Sequence, residues 1–459
     1  MPRVAIVGGG ISGLSAAYYL TRYGIHSTLI EQRAHLGGVI RTERIQGCVL
    51  ESGPDSFLAQ KPWALQLIRE LGLGDDVIAS NDHLRVTYVL KNRRLVPLPD
   101  GLMLMIPTKI LPMLGTNLLG WGTKFRMGLE WFRRPGNGAR ADRSVAAFVA
   151  DHYGSEAVDY LAEPLLAGVY GGDPGRLSIE SVLPRFLELE RKYGSLTKGV
   201  LHERRKVAKQ AKAMPLFQTL KGGLGQLTDA LVARTQPAFE ILHGAAETIE
   251  RGMLGLRVRV NGEWLEADHV VLAAQAYEAG ALIGSIDAEL AALLDGIAYS
   301  NSVTISIGYE RAGFSHALNG FGFLVPKAER RLMVACTWVG TKFSHRVPDD
   351  RVVLRCFVGG EDTRALSLPD DDLIASVRAE LREIMGVTET PAFTSIARWP
   401  RSMAQYTVGH AARITEIESR LARIGGLHLA GNAYHGIGIP DCVRMGREAA
   451  DKIAAVEKS

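Results

Sequence analysis

The chain is poor in cysteine and nearly balanced in charge, and each shortage removes a class of protein. Its four cysteines, Cys48, Cys336, Cys356 and Cys442, include no C-x-x-C pair and no Cys/His set at zinc-finger spacing. They read as small buried apolar residues in a reducing compartment. Lys plus Arg is 53 against 49 Asp plus Glu, a formal charge of +4 over 459 residues. That is too little to argue for a nucleic-acid partner. A secretory leader is not expected, because the apolar start stops at Gly8 and Val4–Val7 reads as a strand the fold needs. Long apolar runs are also lacking: the stretch 101–122 is interrupted by Pro107, Lys109 and Pro112, which excludes an ordinary spanning helix. With 47% apolar and 22% charged residues, wholesale disorder is excluded too, and the length fits two or three domains.

Glycine is what the chain has in mild excess, and its placement carries information. RVAIV at 3–7 is a short β-branched run of the kind found in buried parallel strands. GGGISG follows, so Gly8, Gly10 and Gly13 fit G-x-G-x-x-G, and Leu14, Ala17, Tyr18 and Leu20 continue in helical register. Gly24 closes that helix and HSTLIE gives a second strand ending at Glu31. Gly8 suits a tight turn, Gly10 lets a pyrophosphate approach the backbone, and Gly13 lets helix and strand pack closely. The helix amino terminus holds the phosphates, and Glu31 is placed to accept from ribose hydroxyls. An acid at 31 argues against a 2′-phosphate. The next segment, QRAHLGGVIRT, brings a second glycine pair, Gly37–Gly38, which is either an exposed loop or a second turn beside the pyrophosphate.

Near the other end, LHLAG reads as a strand, HGIGIPD as a turn and the residues from Cys442 as a helix with Asp441 as N-cap. Such an element either merely packs or brings a second helix terminus under a flavin ring, where it stabilises the reduced ring's negative charge. His435 in this loop reads as a surface residue. Between the two ends, 220–234 reads as a helix, and 239–274 as strand, hairpin and strand with NGE as the turn. Residues 96–205 are dominated by helical periodicity. The basic run 185–212 reads as a solvated linker or as a docking face for an anionic surface. SVTISIGY, RLMVACTWV and RVVLRCFVGG, within 297–360, point to an antiparallel substrate-facing sheet, and 369–386 to one helix.

The glycine pair after Glu31 resembles the flavin amine oxidase superfamily. Six segments extend the likeness over nearly the whole chain: ESGPDSFLAQK (51–61), EPLLAGVYGGDPGRLSI (163–179), LKGGLGQL (220–227), GFGFLVP (320–326), MAQYTVGH (403–410) and AGNAYHGIGIPDC (430–442). They resemble the oxygen-dependent porphyrinogen oxidases of haem biosynthesis, with GPDSFL…K and the stretch through PTKI most similar to the bacterial coproporphyrinogen III oxidases. The resemblance implies an α/β fold (with α+β elements): a Rossmann-like FAD-binding domain from 1–75, 215–295 and 395–459, a mixed-sheet substrate domain from 76–95 and 296–394, and a helical, membrane-associating domain from 96–205. It implies FAD as cofactor, a six-electron oxidation of a porphyrinogen in three two-electron steps, and oxygen as acceptor with hydrogen peroxide as product. The flavin performs the chemistry, so no catalytic side chain and no metal is expected.

By the same resemblance Gly8, Gly10, Gly13, Glu31, Gly37 and Gly38 contact phosphate and ribose, and the backbone near Ala246 meets the adenine. Gly53, Pro54, Asp55, Ser56, Trp399, Gly438, Ile439 and Pro440 fall at the ring. Lys61 matches a basic residue that holds a propionate, and Gly168 a backbone position lining the pocket. The expected setting is cytoplasmic, peripheral on the inner face of the cell membrane, with the next enzyme of haem synthesis as a partner. Rival readings are protoporphyrinogen IX as substrate, an amine or carotenoid oxidoreductase on the same scaffold, and a flavin-binding regulatory protein without turnover.

Overall fold

The computed structural model describes residues 2–136, 141–207, 215–235, 239–253, 255–360 and 362–456. Its cofactor-type half is built on a five-stranded parallel sheet. The strand order is Phe239–His243, Ser27–Glu31, Val4–Val7, His269–Leu272, Leu427–Leu429. VAIV and HVVL are buried along their whole length, as strands covered on both faces must be. The first helix, Ile11–Arg22, packs against the last, Ile439–Val456. Gly446 makes that approach possible, since a Cβ there would lie 2.3 Å from the Ser12 carbonyl oxygen. FEILHGAAETI divides: Phe239–His243 joins the parallel sheet, and Ala246–Arg251 starts a three-stranded antiparallel sheet. The hairpin in that sheet turns on Asn261 and Gly262, both at positive φ, as a two-residue loop between twisted strands requires.

The second layer is a seven-stranded sheet in the order Phe393–Ala404, Tyr299–Glu310, Arg351–Gly360, Met333–Trp338, Gly322–Leu324, Thr87–Lys91, Arg94–Pro97. Its pairs are antiparallel except that Gly322–Leu324 and Thr87–Lys91 run parallel, so the sheet is mixed. Position 395 falls inside the edge strand Phe393–Ala404, so a boundary there cuts a strand that belongs to this sheet. Val303, Ile305, Ile307, Leu354 and Val358 pack beneath Leu373, Val377 and Leu381 of the helix Asp370–Met385. By strand alternation Thr304, Ser306, Arg355, Ser395 and Trp399 point to the opposite face, toward the parallel-sheet half. Cys336 and Cys356 are direct cross-strand partners, and all four cysteines are free and buried.

The helical part corrects one expectation. The basic run is not a linker as far as residue 207: it forms helices Pro184–Tyr193 and Leu196–Val207, which bury Phe186, Leu189, Leu196 and Val200. Lys209 and Lys212 lie outside the described residues, as do the side chains of Arg205 and Lys206. These helices close on a buried polar centre, where the His152 ring nitrogens lie 3.1 Å from Glu130 and 3.3 Å from Glu190. Burial opposes the charge on Glu130, but His152, Ser195 and the Leu196 amide hold its carboxyl below the usual range. Among the described residues no helix is long and apolar enough to cross a membrane.

Candidate functional site

The three glycines of the first turn are required for different reasons. Gly8 adopts φ +108°, and a Cβ there would meet the Ala273 backbone at 2.8 Å. At Gly13 a Cβ would lie 2.0 Å from the Gly8 carbonyl oxygen, so strand and helix would separate. Gly10 has ordinary backbone angles, and nothing in the protein lies within 4 Å of where its Cβ would be. It is the N-cap of the first helix and supplies no side-chain cap. The space it leaves therefore lies at an amino terminus whose first amides have no capping side chain, which fits a phosphate.

Gly37 and Gly38 form a second turn set directly against the first. The Gly37 amide donates to the Gly9 carbonyl (2.8 Å), and a Cβ at Gly38 would come 3.1 Å from the Gly10 Cα. Glu31 is buried, and its carboxylate is more occupied than the spacing implied. One oxygen accepts from the Gly9 amide (2.7 Å) and the other from the Arg33 amide (2.8 Å). Glu31 thus fixes the glycine turn while each oxygen keeps a lone pair for a ribose hydroxyl. Its carbonyl accepts from Gly244, and the strand beginning at Ala246 follows two residues later.

At the carboxyl-terminal end the last helix begins at Ile439, earlier than expected, so Pro440 and Asp441 lie in its first turn. Asp441 is therefore not the N-cap: the Gly438 carbonyl accepts the first helical bond from Cys442 (3.0 Å). Asp441 instead folds back to accept from the Gly438 amide (3.3 Å) and to pair with Lys61 at 2.6 Å. The Lys61 ammonium, 40% exposed, is thus already tied to a carboxylate that is 5% exposed. His435 is a surface residue paired with Glu418.

The segment Gly53–Ser56 is held between the backbone at Val39 and Arg355 of the seven-stranded sheet. A Cβ at Gly53 would lie 1.9 Å from the Val39 carbonyl oxygen, and its own carbonyl accepts from Arg355. Trp399 donates its indole N–H to the Ser52 carbonyl at 2.8 Å. After Pro54, Asp55 accepts from Ser56 (2.6 Å) and meets the Lys342 ammonium at 2.8 Å, with Arg355 3.5 Å away. Burial resists the charge on Asp55, but Lys342 and Arg355 hold its carboxyl well below the usual range. Beside it Glu51 pairs with Arg346 at 2.7 Å, each 2% exposed, and also accepts from the Leu224 amide and Thr42. Sequence reasoning missed Lys342, Arg346 and Arg355. Only Arg355 left a signal, as a lone cation at an interior position of the apolar strand RVVLRCFVGG. Gly168, on the helix Glu163–Tyr170, is exposed, and a Cβ on it would touch Leu324 at 3.4 Å, the last residue of the fifth strand of the seven-stranded sheet.

The model of the flavin containing amine oxidoreductases matches residues 11–454. A coproporphyrinogen III oxidase of Bacillus subtilis (strain 168) is 33% identical over 466 residues, spanning 97% of this chain and 96% of the relative. One from Mycobacterium tuberculosis (strain ATCC 25618 / H37Rv) is 32% identical over 460 residues, spanning 98% and 97%. A solved structure of a candidate protoporphyrinogen oxidase from Exiguobacterium sp. 255-15 superposes with TM-score 0.89 at 31% identity and 99% coverage of both chains. A reduced UDP-galactopyranose mutase shares the fold at TM-score 0.75 and 16% identity. FAD is the cofactor, and the protein is an oxidoreductase. Its sequence over almost its whole length, and its fold, place the chain in the flavin containing amine oxidoreductase family.

Proposed function

We propose that the protein oxidises coproporphyrinogen III to coproporphyrin III, removing six electrons in three two-electron steps with oxygen as acceptor and hydrogen peroxide as product. The observation that carries this is the full-length similarity to coproporphyrinogen III oxidases, which spans the cofactor half and the substrate sheet together. Bound FAD supplies the hydride acceptor that the side chains lack. The chain's own residues bind and orient. Gly10 and the first helix take the phosphates, and Glu31 the ribose. Gly53–Ser56, Trp399 and Gly438–Pro440 would border the ring. Gly168 leaves room for the macrocycle. Lys61 meets a propionate only by sharing its charge with Asp441, so its contribution is smaller than that of a free ammonium.

Protoporphyrinogen IX is the second reading, favoured by a 25% identical mitochondrial protoporphyrinogen oxidase of Nicotiana tabacum that spans the whole chain. Coproporphyrinogen carries four propionates and protoporphyrinogen two, so the pockets differ in the cations they need. The test is the ratio of kcat/KM for the two freshly reduced substrates in one buffer, followed by porphyrin fluorescence. A ratio above one for coproporphyrinogen is expected; a ratio below one moves the assignment to protoporphyrinogen. No peroxide from either substrate would leave a flavin protein without this turnover.

A peripheral membrane setting is part of the same proposal. It is supported by apolar side chains turned to solvent on two successive helices: Ile110 and Leu111 on Ile110–Gly115, and Trp121 and Phe125 on Trp121–Glu130. Each is at least 70% exposed. Lys124 lies over the Trp121 ring, as suits a surface at a lipid headgroup layer.

A further inference from the structure

We infer that Tyr406 is a positioning residue for the reaction, fixing the Asn432–Gly438 turn, and with it the amino terminus of the last helix, from the substrate side of the molecule. This rests on the FAD reading above and adds to it a residue outside both glycine signatures.

Tyr406 follows the edge strand Phe393–Ala404 and is 3% exposed. Its hydroxyl accepts from the Gly436 amide at 2.7 Å and donates to the Asn432 carbonyl at 2.9 Å. One oxygen thus closes the turn across four residues by using its donor and acceptor capacity at once. The turn needs such a clamp because Gly436 stands at φ +121°, where a Cβ would lie 2.4 Å from the Asp441 carboxyl carbon, so only glycine fits and its backbone is not set by local preference. The ring is held as firmly as the hydroxyl. It stacks on His410 with centroids 4.1 Å apart and planes 10° apart, and meets Tyr170 edge-on at 6.4 Å. His410 in turn reaches the Tyr434 carbonyl at 3.3 Å through Nε2. A carbonyl only accepts, so that nitrogen carries the proton.

The other end of the clamp is anchored on the helical part. The Tyr406 carbonyl accepts from the Ser178 amide at 2.7 Å, and the Val408 amide donates to Arg176 at 3.0 Å. The neighbouring Gln405 amide group donates to the Tyr170 carbonyl at 2.6 Å, at the end of the helix that carries Gly168. The segment is therefore a strap joined at one side to the pocket helix and at the other to the turn that launches the last helix. A helix terminus acts on a nearby charge through a few unpaired N–H groups, and its influence fades within one turn. A small displacement of this turn changes how the terminus stabilises the reduced ring. It leaves the phosphate cradle at Gly10 untouched.

The test is Tyr406→Phe in the FAD-saturated enzyme, which keeps the ring stack and removes both hydroxyl bonds. The expected result is FAD occupancy equal to that of the parent and a flavin midpoint potential lower by about 30 mV, the equivalent of a ten-fold change in a two-electron equilibrium. The value of kcat should fall while KM for coproporphyrinogen moves by less than about two-fold. Tyr153→Phe, which removes a buried hydroxyl bonded to Thr197 in the helical part, is the structural reference: it should lower Tm and leave the potential unchanged. A Tyr406→Phe enzyme with the parent's potential and kcat overturns the inference, however far its Tm falls. If that variant cannot be purified with FAD, His410→Gln replaces it. His410→Gln keeps the hydroxyl and removes the stack; a shift in the same direction supports the inference and an unshifted potential overturns it. A colourless parent protein would sink the FAD reading itself, and this inference with it.

Discussion

At the scale of single residues, glycines of one motif separate into two kinds. Gly13→Ala places a methyl group 2.0 Å from the Gly8 carbonyl oxygen, a contact no rotamer change can relieve. That substitution should destabilise the FAD-free protein by about 3 kcal/mol, at the upper end for overpacking. Gly10→Ala meets no protein atom within 4 Å, so FAD-free stability should fall by only about 1 kcal/mol, for the poorer N-cap. Its FAD dissociation constant should rise about ten-fold or more, because the methyl fills the phosphate cradle. Thermal unfolding and FAD titration on both variants separate the two effects; equal losses of stability would contradict the assignment. The G-x-G-x-x-G spacing marked both positions, because the motif is local and its geometry follows from the chain path. Lys61 was marked by likeness alone, and its partner Asp441 is 380 positions away, a pairing that no local pattern encodes. The Lys342–Asp55 pair was hidden for the same reason. Lys342→Met leaves a buried carboxylate with Arg355 as its remaining cation, and should lower stability by about 3 kcal/mol, the lower end for breaking a buried pair. A change under about 0.5 kcal/mol in denaturant unfolding would place that pair among surface contacts.

At the scale of elements, strands read more truly than helix ends and charged runs. The strands in 297–360 are β-branched and apolar on one face, so period-two alternation locates them, and the paired sheet follows. The last helix starts three residues before the expected Cys442 because a proline in a first turn loses no hydrogen bond. The run from 185 hides two helices because its many cations mask a sparse apolar face of Phe186, Leu189, Leu196 and Val200. The apolar face of Trp121–Glu130 was legible as a helix but not as an exposed one. Periodicity shows that residues share a face; whether another element covers that face depends on tertiary packing. Trp121→Ser with Phe125→Ser removes two large exposed side chains, 72% and 70% accessible. If that face meets lipid, each loss weakens partition by about 1.5 kcal/mol or more, and the pair by at least about 100-fold on anionic vesicles. Stability should hardly change, since neither side chain is buried. Parent and variant floating equally with vesicles would remove the face from any membrane contact.

At the scale of the whole molecule, the buried ionisable groups set an acid limb for stability. Burial pushes His410 down to about 4, against its single favourable bond to the Tyr434 carbonyl, and burial beside His269 takes His428 to about 4 as well. An unfolded histidine titrates near 6.5. Between about pH 4 and 6.5 the unfolded chain therefore binds more protons than the folded one, and stability rises with pH across that window. Above about pH 6.5 both states are neutral at these positions and the contribution is complete. For His410, 4% exposed, the full window amounts to on the order of 3 kcal/mol. Asp55 and Glu130 have the opposite chemistry and the same consequence. Their folded carboxyls titrate below the usual range, so the stability they supply is present above about pH 4 and is lost as pH falls further. The two sets act in succession on acidification, first the buried neutral histidines, then the paired carboxylates. The measurement is Tm of the FAD-loaded protein from pH 4 to 8, with His410→Gln beside it. A plateau from about pH 7 upward and a fall below 6.5 are expected, with a shallower fall in the variant because glutamine takes up no proton. Identical slopes for parent and variant between pH 4.5 and 6.5 would mean that His410 is protonated in the folded state. The neutral Nε2–H donor to the Tyr434 carbonyl would then be the wrong description of the strap.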